Sequence, residues 1–202
     1  MIVIVDYNMG NILSVQNMLK KIGYQAIITS DAEVVNKAEK IILPGVGAFD
    51  RAMKNIESLG LLEVLNYKAL KEKVPILGIC LGMQLLTKSS EEGQLPGLGY
   101  IYGHTQKFVF SDTNWKIPHM GWNEVKPRIS ATLFKNLDSD SRFYHVHSYY
   151  VVCENDNDIA ATTSYGIDFT SSIEIDNIFG TQFHPEKSHK FGKQLLSSFC
   201  QI

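Results

Sequence analysis

Apolar and polar positions change their period in a regular way along the first part of the chain. Residues 2–7, Ile-Val-Ile-Val-Asp-Tyr, form a short β-branched run that reads as a buried strand. Ile12, Val15, Leu19 and Ile22 then recur at helical spacing, and Gly23 stops that helix. Residues 25–29 read as a second strand, and a short helix over 32–38 leads to a third strand at 40–44. Helices are predicted over 48–58 and 61–72, with Gly60 as the stop between them. A fourth strand, 74–80, runs straight into a helix that opens with Leu81-Gly82-Met83. Strands alternating with helices predict a parallel sheet covered on both faces.

Beyond residue 95 the period shortens. Residues 98–110, 117–126, 143–153, 159–165, 169–175 and 178–184 all read as strands, joined by short turns such as residues 154–157. Phe191, Leu195, Leu196 and Phe199 return to helical spacing, so 190–200 predicts a closing helix on the sheet. The sum is one three-layer α/β domain over residues 1–202, with a central mixed, mainly parallel sheet and a hairpin-rich second half.

Composition narrows the class. Of 202 residues, 45% are hydrophobic and 20% charged, which excludes a disordered chain. The formal charge is -2, without the basic excess of a nucleic-acid binder. No apolar run approaches the ~20 residues of a membrane helix. The start has no basic segment and reaches Asp6 early, so no signal peptide is expected. Cys80, Cys153 and Cys200 are an odd, sparse set, which predicts no disulfide framework and a reducing compartment, the cytoplasm.

The sharpest chemical signal is Gly78-Ile79-Cys80-Leu81-Gly82, at the junction of strand and helix. This is a nucleophile-elbow pattern with cysteine in place of serine. The elbow lifts the sulfur to the C-terminal edge of the sheet, where the following helix N-terminus favours thiolate. The competing reading is a buried structural cysteine whose flanking glycines only permit close packing. A cysteine nucleophile needs a base and the base an orienting acid. His184-Pro185-Glu186 offers both; in an extended segment positions 184 and 186 point the same way. Leu81 and the Pro44-Gly45-Val46-Gly47 loop are placed to give the two N–H groups of an oxyanion hole. His145 and His147, an i, i+2 pair, raise the question of zinc, but no third ligand stands out and neither a CxxC nor an HExxH motif occurs. No metal and no cofactor are therefore expected, with one of the pair facing the site and the other solvent. His104, His119 and His189 are taken as structural.

These residues resemble the class I (triad) glutamine amidotransferases, whose fold is flavodoxin-like. Within that family, segments 6–11, 43–49, 78–86, 118–123, 147–150 and 182–188 are similar to the glutaminase subunits of imidazole glycerol phosphate synthases, in histidine biosynthesis. The resemblance implies hydrolysis of glutamine to glutamate and ammonia through a thioester, with Cys80, His184 and Glu186 as the triad. It implies Leu81, Gly45 and Val46 in the oxyanion hole, and Gly47, Gln84, Ser148 and Tyr149 around glutamine. It also implies a heterodimer with a (β/α)8-barrel cyclase subunit that receives the ammonia, with Asn11, Trp122, Tyr144 and Lys187 at that interface. Two positions depart from the pattern: Asn8 stands where glycine is usual, and His145 where phenylalanine is common. Similar subunits supply ammonia for amidation of a surface-polysaccharide sugar, which is the alternative reading; a non-catalytic flavodoxin-like binding module is a second alternative.

Overall fold

The computed structural model describes residues 1–137 and 140–202. Strands β1 (Ile2–Val5), β2 (Ala26–Thr29), β3 (Lys40–Gly45) and β4 (Ile76–Cys80) are interleaved with helices α1 (Ile12–Lys21), α2 (Ala32–Asn36), α3 (Phe49–Ser58), α4 (Leu61–Leu70) and α5 (Leu81–Leu85). The second half carries β5 (Ser89–Ser90), β6 (Gly103–Lys107), β7 (His119–Glu124), β8 (Lys126–Pro127) and β9 (Arg142–His147). It continues with β10 (Tyr149–Cys153), β11 (Ile159–Tyr165), β12 (Ile167–Ile175), β13 (Ile178–Thr181) and the closing helix α6 (His189–Cys200).

The main sheet runs β2-β1-β3-β4-β13-β12-β10-β6-β5, with β11 and β8 branching from β12. Strands β2, β1, β3, β4 and β13 are parallel, and β12, β10 and β6 continue antiparallel. β7 and β9 form a separate antiparallel ribbon.

Alternation along the buried strands builds the two outer layers. Val3, Val5, Ile41, Leu43 and Ile76 point to one face, against Phe49, Ala52 and Ile56 of α3 and Leu61 and Leu65 of α4. Ile2, Ile4, Ile42, Leu77 and Ile79 point to the other, against Val15 and Leu19 of α1 and Leu195, Leu196 and Phe199 of α6. Each such side chain, withdrawn fully from water, contributes about 1.5–3 kcal/mol before entropy is counted. Helix ends follow local chemistry. The Asp31 carboxylate accepts from the Glu33 N–H to cap α2, and Gly60, at φ 67°, turns the chain from α3 into α4.

The structure corrects three sequence expectations. Of 98–110 only β6 is strand. The helix after Cys80 ends at Leu85, because residues 89–90 leave it to pair with β6. The run 143–153 is two strands broken at Ser148, with β9 in the ribbon and β10 in the main sheet.

Candidate active site

Cys80 is the last residue of β4 and caps α5 with φ 55° and ψ -109°. That conformation is costly for any residue with a Cβ, and it is held by packing on both sides. Gly82 is what permits it: a Cβ there would press into the Leu43 carbonyl oxygen of β3. The elbow read from the sequence is therefore real, and it sets the buried Cys80 at the C-terminal ends of the parallel strands. Gln182 Nε2 donates to Cys80 Sγ at 3.7 Å, and the thiol lies 4.0 Å from the Val146 carbonyl.

His184 and Glu186 meet as expected but for a different reason. The chain is not extended there: Pro185–Lys187 is a single 3-10 turn, which folds the carboxylate back under the ring. Glu186 Oε1 accepts from His184 Nδ1 at 2.8 Å, with both side chains 2% exposed. The His184 backbone is held by its N–H to the Tyr144 carbonyl at 2.9 Å and by the Ser188 hydroxyl on its own carbonyl at 2.6 Å. Nδ1 donates to the carboxylate, so Nε2 is the atom turned to the thiol. Burial pulls this imidazole down, but the interactions with Cys80 and Glu186 outweigh it and push it up to about 10. The sulfur contact of Nε2 falls outside strict hydrogen-bond geometry, as resting catalytic pairs often do.

Gly45 lies in register beside Cys80, and Leu81 opens α5, so both expected oxyanion segments border the nucleophile. Gly47 sits at φ 110°, a conformation that suits glycine. A cavity of about 350 Å³ opens over the sulfur, lined by Val46, Gly47, Leu81, Gln84, Ser148 and Tyr149 from the expected set. Its size fits one amino acid. Gln84 is part of the wall: its Nε2 donates to the Tyr149 carbonyl at 3.3 Å and to Gln182 Oε1 at 3.1 Å.

Two residues were not read from the sequence. Glu92 lines the cavity, accepts from the Phe49 N–H at 3.0 Å and is shifted upward, chiefly by burial. Gln182, fully buried, bridges Gln84 and the thiol; a polar residue inside the apolar run 178–184 was its signal. The expected interface residues cluster beside the triad. Trp122 pairs with Tyr144 across the ribbon and stacks on His189, and the Lys187 ammonium lies 5.7 Å from the Tyr144 ring centre. Asn11 is exposed and follows Gly10, which packs on the Pro44 carbonyl beneath the oxyanion loop.

The histidines require a correction. His147 lines the cavity, but His145 is fully buried rather than turned to solvent, and His119 joins both. Burial lowers all three, His119 to about 4 and His147 to about 3, and at His145 and His147 the neighbouring histidines add to it. Cys153 and Cys200 are free thiols pushed up to about 12, chiefly by burial, and of the three cysteines Cys80 is the one that lines the cavity. Asn8, the other departure, sits at φ 61°, which asparagine tolerates in place of glycine.

Residues 3–201 match the model of the class I glutamine amidotransferase family. The chain belongs to this family. It is 58% identical over 201 residues to a Methanococcus maripaludis protein named imidazole glycerol phosphate synthase subunit HisH 2, covering 100% of this chain and 99% of that one. It is 47% identical to the Pseudomonas aeruginosa protein of the same name, over the whole of both chains. Among solved structures, PurLQS from Thermotoga maritima superposes with a TM-score of 0.74 at 19% identity, covering 99% of this chain and 97% of that one. A GMP synthase subunit from Thermoplasma acidophilum gives 0.73 at 22%, covering 99% and 92%. These two show a shared fold, the three-layer α/β arrangement expected from the sequence. The family expectation is thus borne out.

Proposed function

We propose that this glutamine amidotransferase is the glutaminase subunit of an imidazole glycerol phosphate synthase, working in the cytoplasm beside a (β/α)8-barrel cyclase subunit. The observation that carries the chemistry is Cys80 at a strained elbow, beneath a cavity large enough for glutamine and beside a buried His184–Glu186 pair. The whole-length relatives support the pathway. Among the described residues, no helix is long and apolar enough to cross a membrane.

The Cys80 sulfur attacks the carboxamide carbon of glutamine. Oxygen takes the negative charge and is met by the Leu81 N–H and an N–H of the Gly45–Val46 segment. His184, having held the thiol proton, gives it to the departing nitrogen, and ammonia leaves. The γ-glutamyl thioester on Cys80 is then attacked by water, whose proton His184 takes, and glutamate and the thiol are restored. Glu92, the carboxylate of the cavity wall, is placed to pair with the substrate's α-ammonium. Gly47, Gln84, Ser148 and Tyr149 shape the rest of the pocket.

Asn11, Trp122, Tyr144 and Lys187 form the face the barrel covers, and it adjoins both His184 and the oxyanion loop. A peptide flip between Gly45 and Val46 would exchange a repelling carbonyl for a stabilising N–H. One such donor is worth about 10² to 10³ in rate. Glutamine turnover by the chain alone, with the barrel, and with barrel plus acceptor ligand tests the reading. The expected result is slow turnover alone and a rise of about that size on full assembly. Equal turnover in all three states removes the switch.

A further inference from the structure

The geometry assigns a divalent metal site to His119, His145 and His147, with zinc as the ion that best fits it. The three are buried, and one ligating nitrogen from each lies within 4.8 Å of the other two. His119 stands on β7 opposite His147 of β9, and His145 and His147, two residues apart, turn to the same side of the ribbon. His119 Nδ1 is 3.2 Å from His147 Nε2, and His145 Nδ1 is 3.3 Å from that same atom. Nitrogens about 2.0–2.1 Å from a tetrahedral zinc stand about 3.3–3.4 Å apart.

Hydrogen bonding completes His119, whose Nε2 lies 3.4 Å from Asn123 Nδ2, but it does not complete His145. His147 Nδ1 lies 2.7 Å from the Tyr149 carbonyl, so that nitrogen carries the proton and Nε2 carries the one lone pair of the ring. Two imidazole nitrogens crowd that single lone pair. His145 Nε2 is buried with no hydrogen-bond partner. The Tyr149 carbonyl that fixes the tautomer of His147 is the kind of outer partner that metal-bound histidines use. Three neutral imidazoles suit zinc, cobalt, nickel or copper, and leave a fourth position for water.

The consequence is mechanical. A two-stranded ribbon is weak by itself. This one carries Trp122 and Tyr144 on its outer side and leads through Val146 and His147 into Ser148 and Tyr149 of the cavity. A cation bridging β7 and β9 would fix the partner face and the glutamine pocket to one another.

The test is cobalt titration of the chelator-stripped full chain, followed by its visible absorption. Wild type should take up one cobalt per chain with the intense bands of a tetrahedral site, reversed by zinc. His104→Ala, distant in the sheet, should keep that spectrum. His145→Phe should lose it, with affinity weakened by at least about 100-fold. No spectrum in wild type, or an unchanged one in His145→Phe, overturns the site. Should His145→Phe fail to fold, anomalous diffraction from zinc-soaked wild-type crystals decides. A peak about 2.1 Å from all three histidines supports the site, and a peak elsewhere or none overturns it.

Discussion

Cys80 holds an unfavourable backbone conformation next to a histidine raised to about 10, and both facts point to a thiol kept ready as a nucleophile. Cys80→Ser should abolish glutamine hydrolysis with the fold kept, as read by circular dichroism. Cys153→Ala and Cys200→Ala should leave turnover unchanged. His184→Ala should cost about 10²–10⁴-fold in kcat, and Glu186→Gln less, because the Tyr144 and Ser188 contacts still fix the His184 backbone and the amide oxygen can still accept from Nδ1. The raised His184 also makes a pH prediction. Its protonated form is favoured in the folded state, so its stabilising contribution is full below about 6.5. That contribution is lost as pH rises toward about 10. Wild-type Tm should therefore fall more steeply than that of His184→Asn between those values. Parallel curves would contradict the assignment. The residues that gave these roles were legible because elbow and His-Pro-Glu are local patterns. The roles of Glu92, Gln182 and His119 are not legible, even where a polar residue in a strand marks Gln182, since each gains its role from a partner far away in the chain.

At the scale of elements, the elbow depends on β3, β4 and α5 approaching closely. Gly82→Ala should destabilise the chain by more than about 3 kcal/mol, because the Leu43 carbonyl and the helix have no room to part. Denaturant unfolding reads this directly, and a loss below about 1 kcal/mol would show that the junction relaxes. The parallel half of the sheet was predicted strand by strand, because buried β-branched runs and helical spacing mark themselves without distant help. The second half was read less well. Residues 143–147 and 149–153 are both strand, so alternation passes through Ser148 without a sign that the chain changes sheets. That change places Ser148 and Tyr149 on the cavity wall. Likewise the three-residue turn at Pro185–Lys187 does with a 3-10 bend what an extended segment was expected to do.

At the scale of the whole molecule, the Cys80, His184 and Glu186 cluster, the Gly45 loop and the exposed aromatic face meet at one end of the sheet, so the proposed docking on that face would reach the chemistry without a long path. The central claim is a covalent γ-glutamyl intermediate on Cys80. The measurement is acid quenching of the chain as it turns over isotopically labelled glutamine with the proposed barrel subunit, followed by peptide mapping. Label is expected on the peptide that contains Cys80, and its loss is expected in Cys80→Ser. Label on another residue, or steady turnover in Cys80→Ser with no labelled peptide, would contradict it.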